Sequence, residues 1–354
     1  MSKHVLVARL DSAGDVLLAG PAMRAVRAGA RHVTMVCGEN GLDAARMLEG
    51  VDDIVSFDAP WIDAAAPAIT AARANAFVAD IGGRFVDEAI VLTSAQQSPL
   101  PLALLLRMAG VPVIAGISDD HAGSLLNVCH RVDACHEVER NLSLVATLGF
   151  RLPARDDGRL RVRPAFALMS DERCAGRVVI HPGASMLART LAPATWAACV
   201  DDLLAAGFQV AVSGGPTERA LTRIVAGKPR KNVVDLGGQT NLSGLASMMA
   251  QASVVVCGNT GAAQLAAALG VPVVVAFAPT VPAERWRPWG VRHVLLGRQE
   301  MPCAGCDARV CPLPQQECLR GIRAIDVVGA VLRLLTDAPA TLPALVTPRL
   351  RVLR

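Results

Sequence analysis

Short apolar runs alternate with helical stretches along this chain, stop once, and then resume, and this rhythm constrains the fold more than any other feature. Val5-Leu6-Val7-Ala8, Val33-Thr34-Met35-Val36-Cys37, Ile54-Val55-Ser56-Phe57, Glu88-Ala89-Ile90-Val91-Leu92 and Val113-Ile114-Ala115-Gly116 read as strands. Val16 to Val26 and Pro101 to Ala109 carry apolar residues at helical spacing. Strands alternating with helices predict a parallel sheet covered on both faces. Residues 151–174 are rich in Arg, Asp and Pro and predict a linker. The rhythm then restarts with Arg177-Val178-Val179-Ile180, a helix from Thr195 to Ala206, and strands at Gln209–Val212, Val233–Leu236, Val254–Cys257 and Val273–Ala276. Two similar α/β halves predict a pair of Rossmann-like domains facing a central cleft, over residues 1–165 and 175–320.

At 354 residues, two domains are the natural expectation. A chain that is 52% hydrophobic and 19% charged suits a globular core. A net charge of +4 is too slight to imply nucleic acid as a partner. The apolar runs are broken by Gly, Pro or charge, so no transmembrane segment is expected, although peripheral membrane contact stays open. Arg9 and Asp11 interrupt the start where a signal peptide would be apolar, and a cytoplasmic location is the expectation. The ten cysteines then read as thiols or metal ligands rather than disulfides.

The stretch RLDSAGDVLLAGPAMRAVR, Arg9 to Arg27, sets Gly14 and Asp15 at the first strand-to-helix turn. Such a turn favours an anion, because free N–H groups and the helix dipole point at the ligand. An acid there repels an anion and is better explained as a base. Four more loops follow strands in the second half: HPGAS (His181 to Ser185), SGGPTERAL (Ser213 to Leu221), DLGGQTNLSGLASMM (Asp235 to Met249) and CGNTGAAQLAAALGVPVV (Cys257 to Val274). Gly/Ser/Thr-rich turns at the carboxyl ends of strands supply N–H donors to a diphosphate. Arg189 can neutralise that diphosphate in place of a metal. Glu218 can accept ribose or sugar hydroxyls. No carboxylate pair suggests a Mg²⁺ site, and no cofactor is expected beyond the nucleotide sugar.

RLDSAGDVLLAGPAMRAVR, HPGAS, SGGPTERAL, NTGAAQLAAALGVPVV and PTVPAERWRPWG, in this order and spacing, resemble the heptosyltransferase family, glycosyltransferase family 9. The resemblance implies a GT-B fold, with an acceptor-binding first domain and a nucleotide-sugar-binding second domain. It also implies a C-terminal helix and tail, 321–354, that packs back across the domains. It implies an inverting transfer, typically from ADP-heptose. The family's general base falls on Asp15, which would take the acceptor hydroxyl's proton. Its diphosphate-binding basic residue falls on Arg189. The family's Asp-Thr-Gly falls on Asn259-Thr260-Gly261, and the His that commonly follows is Gln264; both departures concern the donor's sugar. The implied donor set is His181, Gly183, Ser185, Arg189, Gly214, Gly215, Glu218, Leu242, Asn259, Thr260, Gly261 and Gln264. The implied acceptor set is Asp11, Ser12, Gly14 and Arg140.

Plainer readings stand beside these. His181, before Pro182, reads as structural, Trp196 as core, and Glu218 also as a first-turn helix acid. Asp11 is a second loop carboxylate that could serve as an N-cap. HEVERNLSL, residues 136–144, reads as a solvated helix face. Cys303, Cys306, Cys311 and Cys318, spaced C-x2-C-x4-C-x6-C, are candidates for a structural zinc, with free thiols or a disulfide as alternatives. The expected function is metal-independent transfer of a heptose to a hydroxyl of a lipopolysaccharide-core-like glycan or of a small-molecule natural product. The alternatives are a GT-B transferase using another nucleotide hexose and a catalytically inactive nucleotide-sugar-binding protein. A nicotinamide oxidoreductase is disfavoured, since no G-x-G-x-x-G follows the first strand.

Overall fold

The computed structural model describes residues 3–167 and 172–336. The chain divides into two units, with the boundary between Arg159 and Leu160. The first contains β1 (Lys3–Ala8), β2 (Ala30–Cys37), β3 (Asp53–Ser56), β4 (Glu88–Val91), β5 (Val113–Ile117) and β6 (Val128–His130). They form one parallel sheet in the order β3-β2-β1-β4-β5-β6. The second contains β7 (Val178–His181), β8 (Val210–Val212), β9 (Val233–Asp235), β10 (Val254–Gly258), β11 (Val273–Ala276) and β12 (His293–Leu296). Their order, β12-β11-β10-β7-β8-β9, is the same winding.

The central strands are apolar without alternation because helices cover both sheet faces. Val5 to Ala8 on β1 and Val254 to Cys257 on β10 are all buried. In each sheet the chain reverses direction of winding between two central strands, β1 and β4 in one, β7 and β10 in the other. Loops part at such a switch point and leave a crevice at the carboxyl ends of the strands, where ligands of open α/β sheets bind.

The structure departs from expectation at one helix, two strands and the linker. The helix expected from Val16 to Val26 is two, Ala13–Leu18 and Gly20–Gly29, because Pro21 enters at the first turn of the second and has no N–H to continue the first. β6 and β12 carry no long apolar run: both are short, only partly buried edge strands. The expected linker contains a short helix, Pro164–Ala167, and a helical turn, Glu172–Cys174. Helix Ala324–Thr336 packs on helix Pro193–Ala205 within the second unit. The rest of the expected C-terminal tail, residues 337–354, lies outside the described residues.

Trp196 has no exposed surface and sits in the second core among Val178, Ile180 and Val200. Its Nε1 donates to Thr190 Oγ1 at 2.9 Å, and Thr190 Oγ1 donates to the Pro182 carbonyl at 2.6 Å. The core thereby holds the loop after β7. Trp196→Ala should lower the unfolding free energy by about 3–5 kcal/mol, read from urea denaturation, while Trp196→Phe should recover most of the loss in packing but not the bond to Thr190.

Candidate active site

In the first unit, Arg9 extends β1 by one ladder bond, its N–H donating to the Val36 carbonyl at 2.9 Å. Its side chain has no exposure to solvent. Nε lies 2.7 Å from Asp11 Oδ2, Nη1 3.4 Å from Glu137 Oε2 and Nη2 3.3 Å from Asp15 Oδ1. Nη2 also donates to Ser94 Oγ at 2.7 Å. One guanidinium at the β1/β4 switch point thus gathers three carboxylates. Burial opposes its charge, but Asp11, Asp15 and Glu137 hold it protonated above its ordinary range.

The acids pay unequally for the same arrangement. Burial pushes the Asp11 carboxyl up to about 6, against the pull of Arg9 and with the repulsion of Asp15 added. Burial also raises Glu137, again opposed by Arg9. Gln97 donates from Nε2 to Asp11 Oδ1. Asp15 lies in the first turn of helix Ala13–Leu18 and accepts from Ser12 Oγ on Oδ2 at 2.7 Å. Gly14 is buried in that same turn. Both Asp15 oxygens are therefore oriented, and the side chain keeps 17% exposure.

Arg140 is buried and donates from Nε to the Thr93 carbonyl at 3.3 Å, so it braces the end of β4. The reading of HEVERNLSL as a solvated face is corrected, since His136, Glu137 and Arg140 are all buried. His136 Nδ1 accepts from Val138 N, and Glu139 Oε2 accepts from His136 N, a reciprocal cap on helix Glu137–Thr147. The charges there start a helix and feed Glu137 to Arg9. Arg9, Ser94, Gln97 and Glu137 were not picked out from sequence. An arginine directly after a buried strand, followed by acids two and six residues on, is the one local signal that could have found the first.

In the second unit the loops after β7, β8 and β10 meet at the other switch point. His181 Nδ1 lies 3.1 Å from Ser213 Oγ. Burial pulls the His181 ring below its usual range, opposed by Glu218. It is therefore neutral at pH 7, in keeping with a structural role. Glu218 Oε2 accepts from Gly215 N at 2.7 Å. Gly183 passes so close that a Cβ there would lie 1.9 Å from Glu218 Oε1, and one on Gly214 would lie 2.6 Å from Thr222 Cγ2. Ser185 is exposed, and Leu242 is half-buried in the first turn of helix Leu242–Ala250 behind the Asn241 cap.

Arg189 donates from Nε to Thr280 Oγ1 at 3.1 Å, with Nη2 3.6 Å from Asp307 Oδ1. Its carbonyl crosses the end of β10, where a Cβ on Gly258 would lie 2.1 Å from it. Helix Gly261–Ala268 begins beside that crossing, and Thr260 Oγ1 is buried there with no hydrogen-bond partner. A guanidinium, free helix N–H groups and an unengaged hydroxyl are the donors an anion needs. Asn259 pairs with the backbone of Ala278: Oδ1 accepts from Ala278 N at 3.1 Å and Nδ2 donates to Ala278 O at 3.2 Å. Gln264 donates from Nε2 to the Trp286 carbonyl at 2.8 Å, and its Oε1 is buried without a partner.

Cys303 and Cys306 are exposed and Cys311 and Cys318 half-buried, all as free thiols. Burial and the other three cysteines raise the Cys318 thiol. Among the described residues no group of three His, Cys, Asp or Glu side chains is arranged to hold a metal ion, these four included. No helix among the described residues is long and apolar enough to cross a membrane.

The two-way bond of Asn259 predicts that Asn259→Asp costs about 1–3 kcal/mol at pH 8, because a carboxylate would face the Ala278 carbonyl. The new carboxyl's folded pKa is raised, so the loss should shrink as the pH falls below it. Urea midpoints at pH 8 and pH 5 check this.

Lipopolysaccharide heptosyltransferase 1 of Pseudomonas aeruginosa is 31% identical over 227 residues, 61% of this chain and 61% of that protein. Lipopolysaccharide heptosyltransferase 3 of Escherichia coli K12 is 27% identical over 221 residues, 59% of this chain and 62% of that protein. The chain thus spans about three fifths of the length of the curated relatives it matches. The solved structure of E. coli heptosyltransferase WaaC with ADP has a TM-score of 0.74 at 20% identity and covers 94% of this chain and 99% of that one, which shows a shared GT-B fold. Glycosyltransferase family 9 (heptosyltransferase) matches residues 77–316, more than half of the sequence, and the chain belongs to that family.

Proposed function

We propose that this chain is an inverting glycosyltransferase that moves a heptose from ADP-heptose to an acceptor hydroxyl without a metal. The observation that carries this reading is Asp15, oriented by Arg9 and Ser12 at the β1/β4 switch point. The acceptor oxygen attacks the anomeric carbon as its proton passes to Asp15, and the bond from that carbon to the diphosphate oxygen breaks, releasing ADP. Arg189 and the N–H groups that start helix Gly261–Ala268 meet the charge that builds on the leaving diphosphate. Glu218, held against Gly183 and Gly215, takes the ribose hydroxyls. ADP as the nucleotide is supported by the relative solved with it. A second reading, transfer of another nucleotide-linked hexose, is favoured by Asn259, whose amide is spent on Ala278 and offers the sugar no carboxylate.

Calorimetric titration with ADP, GDP, UDP and ADP-heptose tests the donor. ADP and ADP-heptose should bind and the others should not; a preference for GDP or UDP overturns heptose, and no binding at all overturns the donor site. Asp15→Asn should lower kcat by about 10²- to 10⁴-fold and leave ADP affinity unchanged. Arg189→Met should weaken ADP by about tenfold or more, equivalent to the loss of one charge-assisted bond.

The raised Asp11 carboxyl gives a pH dependence. Below about pH 6 Asp11 takes up a proton and its charge no longer helps hold Arg9, the guanidinium that orients Asp15. In the wild type kcat/KM should fall as the pH drops through about 6. In Asp11→Asn that limb should disappear from this position.

A further inference from the structure

The cysteine-bearing stretch MPCAGCDARVCPLPQQECLR, Met301 to Arg320, lies outside the sheet and forms one short helix, Glu317–Arg320. A stretch with so little regular structure is placed by what it bonds to. Gly305 N donates to the Pro279 carbonyl at 2.7 Å, and Asp307 N to the Thr280 carbonyl at 2.9 Å. Ala188 N donates to the Arg309 carbonyl at 3.0 Å. Gln316 Nε2 donates to the Ala188 carbonyl at 2.6 Å. The stretch therefore ties the loop after β11 to the turn after β7, and Arg189 stands between the two.

Arg189 needs such support. The helical turn Leu187–Arg189 is three residues long, closed by the bond from Arg189 N to the Met186 carbonyl, and a single turn does not hold itself. Ala188 is 3% exposed, so water cannot serve its backbone groups, and the stretch supplies a partner to each. On the other side of Arg189, Thr190 is tied to the Pro182 carbonyl and to Trp196. The main chain of Arg189 is thus fixed through Thr190 by the core and through Ala188 by the stretch. The side chain meets the same stretch, since Nη2 lies 3.6 Å from Asp307 Oδ1 and Nε donates to Thr280, whose carbonyl Asp307 N holds. Asp307 does this in a left-handed conformation, φ 48°, which a residue other than glycine keeps only where its surroundings require it.

We infer that Gln316 is a positioning residue for the donor's diphosphate: by holding the Ala188 carbonyl it fixes where the Arg189 guanidinium stands. The inference rests on the reading of Arg189 as the group that meets the diphosphate. Gln316 is itself well placed for this. It is half-buried, and its own carbonyl accepts from the N–H groups of Leu319 and Arg320, so its main chain is fixed and its amide reaches Ala188 from a firm base. Without that amide the turn is free to relax, and the diphosphate must order Arg189 as it binds, which lowers affinity.

Calorimetry on the full chain, with ADP and with adenosine, compares the wild type, Gln316→Met, Arg189→Met and the double variant. Met keeps the length of Gln and takes away its N–H donors. Gln316→Met should weaken ADP by about three- to tenfold, the worth of one hydrogen bond, and leave adenosine, which has no phosphate, unchanged. In the Arg189→Met background the same change should cost ADP nothing further, because Gln316 acts only through Arg189. Gln316→Leu, a second neutral side chain without a donor, should show the same split. An ADP loss matched by an equal loss for adenosine, a loss that repeats in the Arg189→Met background, or no ADP loss at all overturns the inference. An Arg189→Met variant that binds ADP as the wild type does overturns the reading of Arg189 itself, and it shows without any change at Gln316, so the two failures are told apart.

Discussion

The guanidinium of Arg9 is the point on which the first domain's crevice depends. It has no water to turn to, and neither do most of its partners, so the three acids and the arginine are held in place by one another. Taking away one partner of such a buried set leaves an uncompensated charge, a loss of about 3–5 kcal/mol, far more than a surface pair is worth. That cost is what keeps Asp15 oriented before any ligand arrives. It also couples the acids: charge on Asp11 or Glu137 changes how much of the guanidinium is left for Asp15. The four residues come from the end of β1, the helix after it, and helix Glu137–Thr147, so the fold must close before the set exists.

The second crevice is built on closeness rather than on buried charge. Gly258 lets the Arg189 carbonyl cross the end of β10, and Gly183 lets the Glu218 carboxylate lie against the loop after β7. A side chain at Gly258 would displace Arg189, and one at Gly183 would displace Glu218. Arg189 is held by Thr280 and by Asp307, so its head is positioned at the end of β10.

What was legible from sequence was whatever a local pattern could carry. The buried strands show as unbroken apolar runs, and the strand-to-helix turns that bear Asp15, Gly183, Gly214 and Thr260 show as Gly, Ser and Thr after those runs. The edge strands β6 and β12 were invisible because only part of each is buried and no apolar run marks it. HEVERNLSL misled because charge density alone does not say whether a charge has a partner. Glu137 finds its partner 128 residues away. The hydrogen-bond partner of Asn259, Ala278, is equally out of local view: it lies 19 residues on and is set by the pairing of β10 with β11.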